Sequence, residues 1–184
     1  MKTLIFNGSP RRNGDTEALI NELTSCLNGD IKQISLSNNI SVCTDCRYCW
    51  ENIGCVINDE MQEIYKYLED CDNVVVASPI WFSSLSGPLL NLASRLQMIF
   101  AARHFKNTLL PIKEKSGAVI LAGAQPETAA MPLKNARTLL KLMNVNPEKI
   151  ELIEALNTDI TPAKEDSEAI EKCRRTARIF NYGV

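Results

Sequence analysis

The polar loop that follows the first apolar run of the chain has the residue types of a phosphate-binding site. The apolar run ends at Phe6, residues 7–15 read Asn-Gly-Ser-Pro-Arg-Arg-Asn-Gly-Asp, and a helical pattern begins at Thr16. Glycines allow the backbone to approach a ligand closely. The first turn of a helix also presents unpaired N–H groups and a positive dipole. The loop therefore favours a bound anion, and a solvated connection with a helix cap at Asp15 or Thr16 is the simpler alternative.

Four of the seven cysteines stand together in the spacing C-x2-C-x2-C-x5-C. They are Cys43, Cys46, Cys49 and Cys55. Three cysteines at every third position followed by a fourth are more typical of iron–sulfur ligation than of zinc, which usually takes two separated pairs. A zinc site, a dithiol switch and a metal-free loop that covers another ligand are the alternatives.

A second loop, residues 78–87, carries two large aromatic side chains at the end of an apolar strand. It reads Ser-Pro-Ile-Trp-Phe-Ser-Ser-Leu-Ser-Gly and places Trp81 next to Phe82. Two exposed aromatic rings are costly in water, so they pack locally, against another subunit or against a flat ligand. A planar ring with a phosphate tail would suit this loop and the phosphate-type loop together.

The elements that position these loops alternate regularly between strand and helix. Apolar runs predict strands over 3–6, 31–36, 73–77, 117–122 and 149–153, and the helical period predicts helices over 16–27, 59–69, 88–102, 127–143 and 166–180. This alternation predicts a single α/β domain over 1–184, a flavodoxin-like three-layer α/β/α sandwich with a five-stranded parallel sheet in the order 2-1-3-4-5. The cysteine-rich segment, about 40–57, interrupts the alternation as an insertion.

The predicted strand order brings three loops to one place. Ligands of such folds bind beyond the carboxyl ends of the strands, where the strand order reverses between strands 1 and 3. Residues 7–15, 78–87 and 123–126 follow the strands on either side of that point. We therefore expect Gly123 to approach a ligand held by the first two loops.

The two loop sequences together resemble the NAD(P)H-dependent FMN reductase family. The resemblance rests on Asn-Gly-Ser-Pro-Arg-Arg-Asn-Gly-Asp-Thr followed by Ala-Ser-Pro-Ile-Trp-Phe-Ser-Ser-Leu-Ser-Gly-Pro-Leu. It implies FMN as the cofactor, NAD(P)H as the co-substrate, and reduction of flavin, quinone or another small acceptor. Because the chemistry takes place on FMN, no side chain is assigned as a catalytic acid or base.

The resemblance also assigns residues to the two ends of FMN. The phosphate side falls on Ser9, Arg11, Asn13, Asp15 and Thr16, and the ring side falls on Pro79, Ile80, Trp81, Phe82 and Gly123. Asp15 stands where members of the family often carry asparagine. A carboxylate repels a phosphate, so we expect Asp15 to cap the helix with its side chain turned away.

The cysteine spacing resembles that of the iron–sulfur flavoproteins, a subset of this family with a [4Fe-4S] cluster beside FMN. It implies the alternative function, the passage of electrons between a ferredoxin-type donor and FMN. A third hypothesis is a flavodoxin-like binding domain without enzymatic activity, stiffened by zinc at the cysteines. Metal content separates the three.

Composition excludes several other classes of protein. The formal charge of −2 gives no basic surface for nucleic acid, and no apolar run approaches the roughly 20 residues of a membrane span. The N-terminus lacks the features of a signal peptide, so we expect a cytoplasmic protein that binds no membrane. We also expect a homodimer or homotetramer, with contacts at Trp50 and at Met98, Ile99 and Phe100.

Overall fold

The computed structural model describes residues 1–35 and 39–183. Its strands are β1 (Lys2–Asn7), β2 (Asp30–Ile34), β3 (Asn73–Trp81), β4 (Ser84–Leu85), β5 (Lys115–Gly123) and β6 (Val145–Leu156). Its α-helices are α1 (Asp15–Ser25), α2 (Tyr48–Glu51), α3 (Met61–Asp70), α4 (Gly87–Ser94), α5 (Gln97–His104), α6 (Ala130–Leu142) and α7 (Ser167–Tyr182). Short 3₁₀ turns lie at Pro126–Thr128 and Ala163–Glu165.

Five parallel strands form the main sheet in the order β2-β1-β3-β5-β6. Counted along the chain, this is the predicted 2-1-3-4-5 order of a flavodoxin-like fold. The remaining strand, β4, was not predicted and pairs antiparallel with the end of β3. It consists of two residues, too few to show an alternating pattern, and its existence depends on the turn that precedes it.

The central strands are buried on both faces, because helices cover each side of the sheet. Along β1, Leu4 and Phe6 pack into a core with α3, α4, α5 and α6, whereas Ile5 packs on the opposite face with α1 and α7. Alternate residues of β3 and β5 divide between the same two cores. This arrangement explains the continuous apolar runs in the sequence.

Several element boundaries differ from the sequence-based prediction. The helix predicted over 88–102 is two helices, α4 and α5, separated at Arg95 and Leu96. The last strand was predicted over 149–153 but spans Val145–Leu156. Its first half was missed because it carries exposed polar residues and therefore shows no apolar run. The predicted strand over 31–36 is found as β2, and Leu36 lies outside the described residues.

The cysteine-rich segment lies between β2 and α3, and α2 forms a single turn inside it. The segment packs on the face of the sheet that carries α4 and α5. None of the helices in residues 1–35 and 39–183 combines the length and the apolar character that crossing a bilayer requires.

Candidate flavin and cysteine sites

The loop between β1 and α1 is held by its own polar side chains. Asn7 accepts a hydrogen bond from the Ser9 N–H (2.8 Å) and donates one to Glu17 (2.5 Å). Ser9 Oγ also bonds the backbone of Arg11, which closes a tight turn. These hydrogen bonds within the protein fix the backbone of the loop, as preorganised recognition of an anion requires.

Gly8 fixes the position of this loop against its neighbours. Its N–H donates to Ala77 O (2.8 Å), and its carbonyl accepts from Ser86 Oγ (2.7 Å). A Cβ atom at Gly8 would lie only 2.7 Å from both Leu89 Cβ and Ser86 Oγ. Glycine is required here because β1, β3 and α4 leave no space for a side chain.

The first turn of α1 opens towards the cavity without a side-chain cap. Its N-cap is Gly14, so the prediction of a cap at Asp15 or Thr16 was wrong. The Asp15 carboxylate instead accepts a hydrogen bond from the Ala163 N–H (2.9 Å). Its side chain is turned towards the loop before α7, and the N–H groups of the first turn have no side-chain acceptor of their own.

The aromatic loop is a two-residue hairpin between β3 and β4. Ile80 pairs with Leu85 and Trp81 pairs with Ser84, while Phe82 and Ser83 both have positive φ, +50° and +55°. This is the backbone of a type I′ turn, which favours glycine or asparagine. Trp81 is 42 % exposed at the cavity rim, and Phe82 is fully exposed.

These loops enclose a cavity of about 140 Å³ beyond the carboxyl ends of the parallel strands. Eight of the ten residues assigned to FMN line it: Ser9, Arg11, Asp15, Thr16, Pro79, Ile80, Trp81 and Gly123. Asn13 and Phe82 are exposed and do not line it. At Gly123 a Cβ would lie 3.2 Å from Ile80, so the third loop closely approaches the second.

Thr158 and Asp159 also line this cavity and were missed from the sequence. They follow β6, whose carboxyl end lies at the same edge of the sheet. The available signal was the fold itself, since the loop after the fifth parallel strand must reach the edge where the ligand binds.

The four clustered cysteines line a second cavity, of about 90 Å³, between their own loop and the α4–α5 junction. All seven cysteines are free thiols. Burial raises the pKa of the Cys49 thiol, and Cys55, Cys43 and Cys46 add to this effect by repulsion. The structure thus brings together the four cysteines that the spacing predicted as a group.

The aromatic rim of this cavity is built from both the loop and α5. Trp50 stacks on Phe105 with ring centroids 4.2 Å apart, and the Arg47 guanidinium lies 4.8 Å from the Trp50 ring. The stack covers one side of the cysteine cavity with apolar surface.

The thiol arrangement differs from a preformed site for one metal ion. Within residues 1–35 and 39–183, no three cysteine, histidine or carboxylate side chains converge on a common point. Tetrahedral zinc needs four sulfurs within about 2.3 Å of one centre. Four thiols around one cavity are the donor set of a Cys₄ iron–sulfur cluster.

Helix α4 connects the two cavities. Its N-cap, Ser86, bonds the phosphate-type loop at Gly8, and Ser94 at its end accepts a hydrogen bond from the Cys43 N–H (3.0 Å). The helix has eight residues, a length of about 12 Å. The two cavities are therefore held at opposite ends of one short helix whose inward face is buried.

The sequence profile of the NADPH-dependent FMN reductases matches residues 1–152. The chain belongs to this family. Membership confirms the resemblance seen in the two loops. FMN and NAD(P)H are the cofactor and the co-substrate of this family.

Among the curated relatives are two iron–sulfur flavoproteins from archaea. That of Methanocaldococcus jannaschii is 28% identical over 128 residues, and that of Methanosarcina thermophila is 28% identical over 127 residues. Each alignment covers 67% of this chain and 63% of the relative. The chain therefore spans just under two thirds of the length of the relatives that it matches.

Solved structures show the same fold at low identity. An NAD(P)H:quinone oxidoreductase from Methanothermobacter marburgensis superposes with a TM-score of 0.71 at 15% identity, covering 99% of this chain and 96% of that one. An FMN-dependent NADH-azoreductase from Bacillus anthracis, solved in complex with FMN, gives 0.68 at 17% identity, covering 98% and 100%. The flavodoxin-like fold expected from the sequence is thereby confirmed.

Proposed function

We propose that this chain is an FMN-dependent oxidoreductase with a second redox centre, a [4Fe-4S] cluster at Cys43, Cys46, Cys49 and Cys55. In this function it passes electrons between a ferredoxin-type donor and FMN. The observation that carries the proposal is the meeting of all four cysteines at one cavity, joined by α4 to the anion-binding loop. The names of the archaeal relatives support the same function.

The residues around the cavity at the carboxyl ends of the strands fit FMN by their chemistry. Arg11, Thr16 and the uncapped N–H groups of α1 supply hydrogen bonds and positive potential for a phosphate. Pro79, Ile80 and Trp81 form an apolar wall for a flat ring, and Gly123 lets the third loop approach Ile80 closely. In the proposed role Asn13 and Phe82 contribute from outside the cavity.

When bound, FMN supplies the exchange between two-electron donors such as NAD(P)H and one-electron centres such as an iron–sulfur cluster. The protein's own contribution is positional. The β1–α1 loop holds the phosphate end, the β3–β4 hairpin orients the ring, and α4 fixes the separation between the two redox sites. No side chain needs to act as an acid or a base.

The second candidate is an NAD(P)H-dependent reductase of flavin, quinone or another small acceptor, without a metal. Family membership favours it, as does the absence, in the described residues, of a ready arrangement of ligands for a single ion. The cysteine loop would then only cover the apolar surface of α5. A structural zinc loop on a non-enzymatic domain ranks lowest, since the thiols do not converge.

We propose that the chain is a single domain and assembles as a homodimer or homotetramer through the aromatic rim of the cysteine cavity. Trp50, Phe100 and Phe105 are each about 40% exposed there. Met98 and Ile99, which were expected to contribute, are buried in the core, because they lie on the inward side of α5. The seven free thiols favour the reducing cytoplasm as the compartment.

The deciding experiment is anaerobic purification followed by an absorbance spectrum and quantification of flavin and iron. We expect flavin bands, broad cluster absorbance and about four irons per chain. Replacement of a predicted ligand, Cys46→Ser, should remove iron and leave FMN. The matched control is Cys26→Ser, at the end of α1 and away from the cavity, which should keep both.

The outcomes separate the candidates. Flavin without iron would favour the metal-free reductase, and one zinc per chain without flavin would favour the structural loop. A protein that binds no flavin even after FMN is added would contradict both oxidoreductase proposals.

A further inference from the structure

Arg95 is the largest fully buried side chain in the described part of the molecule, and it lies directly at the cysteine cavity. It follows the last residue of α4, is 1 % exposed, and lines the cavity together with the four cysteines. A buried guanidinium is costly unless every part of it is paired. Its partners therefore show what it is there to hold.

The guanidinium of Arg95 connects both ends of the cysteine loop. Nη1 donates to Ser41 O (2.8 Å) and to the Asp59 carboxylate (2.6 Å), and Nη2 donates to Ile57 O (3.3 Å). Residues 41 and 57 lie on either side of the four-cysteine segment. One planar side chain thus fixes the start and the end of the segment relative to α4.

Arg95 also faces sulfur directly. Its Nη2 lies 3.5 Å from Cys55 Sγ, within hydrogen-bonding distance for a sulfur acceptor. Its Nε is buried and has no acceptor among the described residues. A donor without an acceptor, on a guanidinium that lines a cavity of thiols, indicates that the cavity is built for an electron-rich group.

The Arg95 guanidinium lies next to the Cys55 sulfur and is paired with one buried carboxylate, that of Asp59. Asp59, which bonds Nη1 and does not line the cysteine cavity, is the counter-ion, and its carboxylate is also held by the N–H groups of Ser41 and Met61. The Tyr65 hydroxyl donates to the Arg95 carbonyl. Of the two charges, only the cation lines the cysteine cavity, and its Nη2 rather than the Asp59-bonded Nη1 lies near Cys55 Sγ.

We propose that Arg95 is a positioning residue of the cysteine centre, which orients Cys55 and stabilises the reduced, more negatively charged state of a bound cluster. The inference rests on the proposed function. Hydrogen bonds to ligand sulfurs and nearby charge are the means by which a protein sets the reduction potential of an iron–sulfur cluster. A cation next to the thiolate favours the state that has gained one electron, so Arg95 makes the potential more positive.

The test is a redox titration of the purified, iron-loaded protein with mediators, with the reduced cluster followed by electron paramagnetic resonance. In Arg95→Gln the cation is lost and the Asp59 charge remains, so the midpoint potential should become more negative. We expect about a tenfold change in the ratio of oxidised to reduced cluster at a fixed potential, which is about 59 mV for a one-electron couple. Arg95→Lys keeps the charge but loses the planar fork, and should give a smaller shift in the same direction.

A second variant, at Asp59, should shift the midpoint potential in the opposite direction. Asp59→Asn removes the counter-charge and leaves the cation, so the potential should become more positive. General loosening of the loop would move both variants in the same direction. The control is Arg174→Gln, which removes a different ion-paired arginine on the opposite face of the sheet and should leave the potential unchanged.

Each outcome decides the proposal. Opposite shifts for the Arg95 and Asp59 variants support it, and iron-loaded variants with the potential of the parent overturn it while leaving the proposed function intact. If Arg95→Gln does not retain iron, the Asp59→Asn titration decides alone, and an unchanged or more negative potential overturns the proposal. A parent protein without iron overturns both the proposed function and this inference.

Discussion

At the scale of single residues, the proposed flavin cavity, which lies beyond the carboxyl ends of the strands, depends on positions where a side chain is absent or is held by a neighbour. Gly8 has no room for a Cβ, and the Asp15 carboxylate, at the wall of the cavity, accepts a hydrogen bond from the Ala163 N–H. The N–H groups in the first turn of α1, which has no side-chain cap, add to the polar side chains of the loop as hydrogen-bond donors. Phosphate recognition by backbone requires little side-chain chemistry but tight control of where the backbone lies.

We therefore expect Gly8→Ala to weaken both stability and FMN retention. The added methyl would meet Leu89 Cβ and Ser86 Oγ at 2.7 Å, so the β1–α1 loop must move away from α4. Overpacking of this kind costs about 1–3 kcal/mol of unfolding free energy. Urea unfolding and flavin content after gel filtration measure the two effects.

The matched control for this substitution is Gly87→Ala at the start of α4. No atom lies within 4 Å of a Cβ built at Gly87, and alanine favours a helix. Its unfolding free energy should stay within about 0.5 kcal/mol of the parent. Equal losses of unfolding free energy in the two variants would show that the close packing around Gly8 is not the reason why alanine destabilises the protein there.

At the scale of elements, the division between α4 and α5 has a specific cause. The Arg95 carbonyl accepts a hydrogen bond from the Tyr65 hydroxyl (2.7 Å), and the Ile99 N–H bonds Leu96 O instead. A residue of α3 thus takes the acceptor that a continuous helix would use. Beyond the break, Gln97, Met98 and Phe100 of α5 line the cysteine cavity.

Tyr65→Phe should test this connection, because it removes the donor and leaves a buried carbonyl without a partner. We expect a loss of about 1–3 kcal/mol in unfolding free energy, measured by urea denaturation. Tyr67→Phe is the control on the same helix, where the hydroxyl bonds the more exposed Asp30 carbonyl. A loss at Tyr67 as large as at Tyr65 would contradict a special role for the buried bond.

The sequence allowed prediction of the elements whose signal is local and of the loops that the fold brings together. Continuous apolar runs identified β1, β3 and β5, and the order of the strands followed from alternation with helices. The α4–α5 break was not predictable, since the apolar spacing of 88–102 is helical throughout and the cause lies 30 residues earlier, in Tyr65. The contacts of Arg95 were equally hidden, because its partners Ser41, Ile57 and Asp59 are distant in the sequence.

At the scale of the whole molecule, the edge of the sheet opposite the flavin cavity is held by charge. Asp72 accepts hydrogen bonds from the Lys2 N–H (2.6 Å) and from Lys113 Nζ (2.8 Å), and its own carbonyl accepts from the Ser116 N–H (3.1 Å). It thereby joins the beginnings of β1, β3 and β5. Burial would raise the pKa of Asp72, but the bonds to Lys113 and Lys2 outweigh burial and lower it.

This lowered pKa predicts a pH dependence of stability. A carboxyl with a depressed pKa in the folded state contributes stability above its unfolded pKa, about 3.9, and loses it as the pH falls through the folded pKa. Asp72→Asn should be less stable than the parent at pH 7 by under about 1 kcal/mol, because the side chain is partly exposed and screened. The difference should close below about pH 4 in urea titrations, and a constant difference at all pH values would exclude this charge as the cause.

The two proposed redox sites occupy different parts of the structure, and this predicts what happens when the metal is removed. The flavin cavity is formed by the loops after β1, β3, β5 and β6, whereas the cysteine cavity is formed by the insertion and the α4–α5 junction. Helix α4, about 12 Å long, links them, and its contact with Gly8, made through Ser86 and Leu89, involves no cysteine. Chelation of iron under anaerobic conditions should therefore leave FMN bound and the far-ultraviolet circular dichroism unchanged. Flavin that leaves together with the iron would mean that the cysteine loop, and not the strand-end loops alone, completes the flavin site.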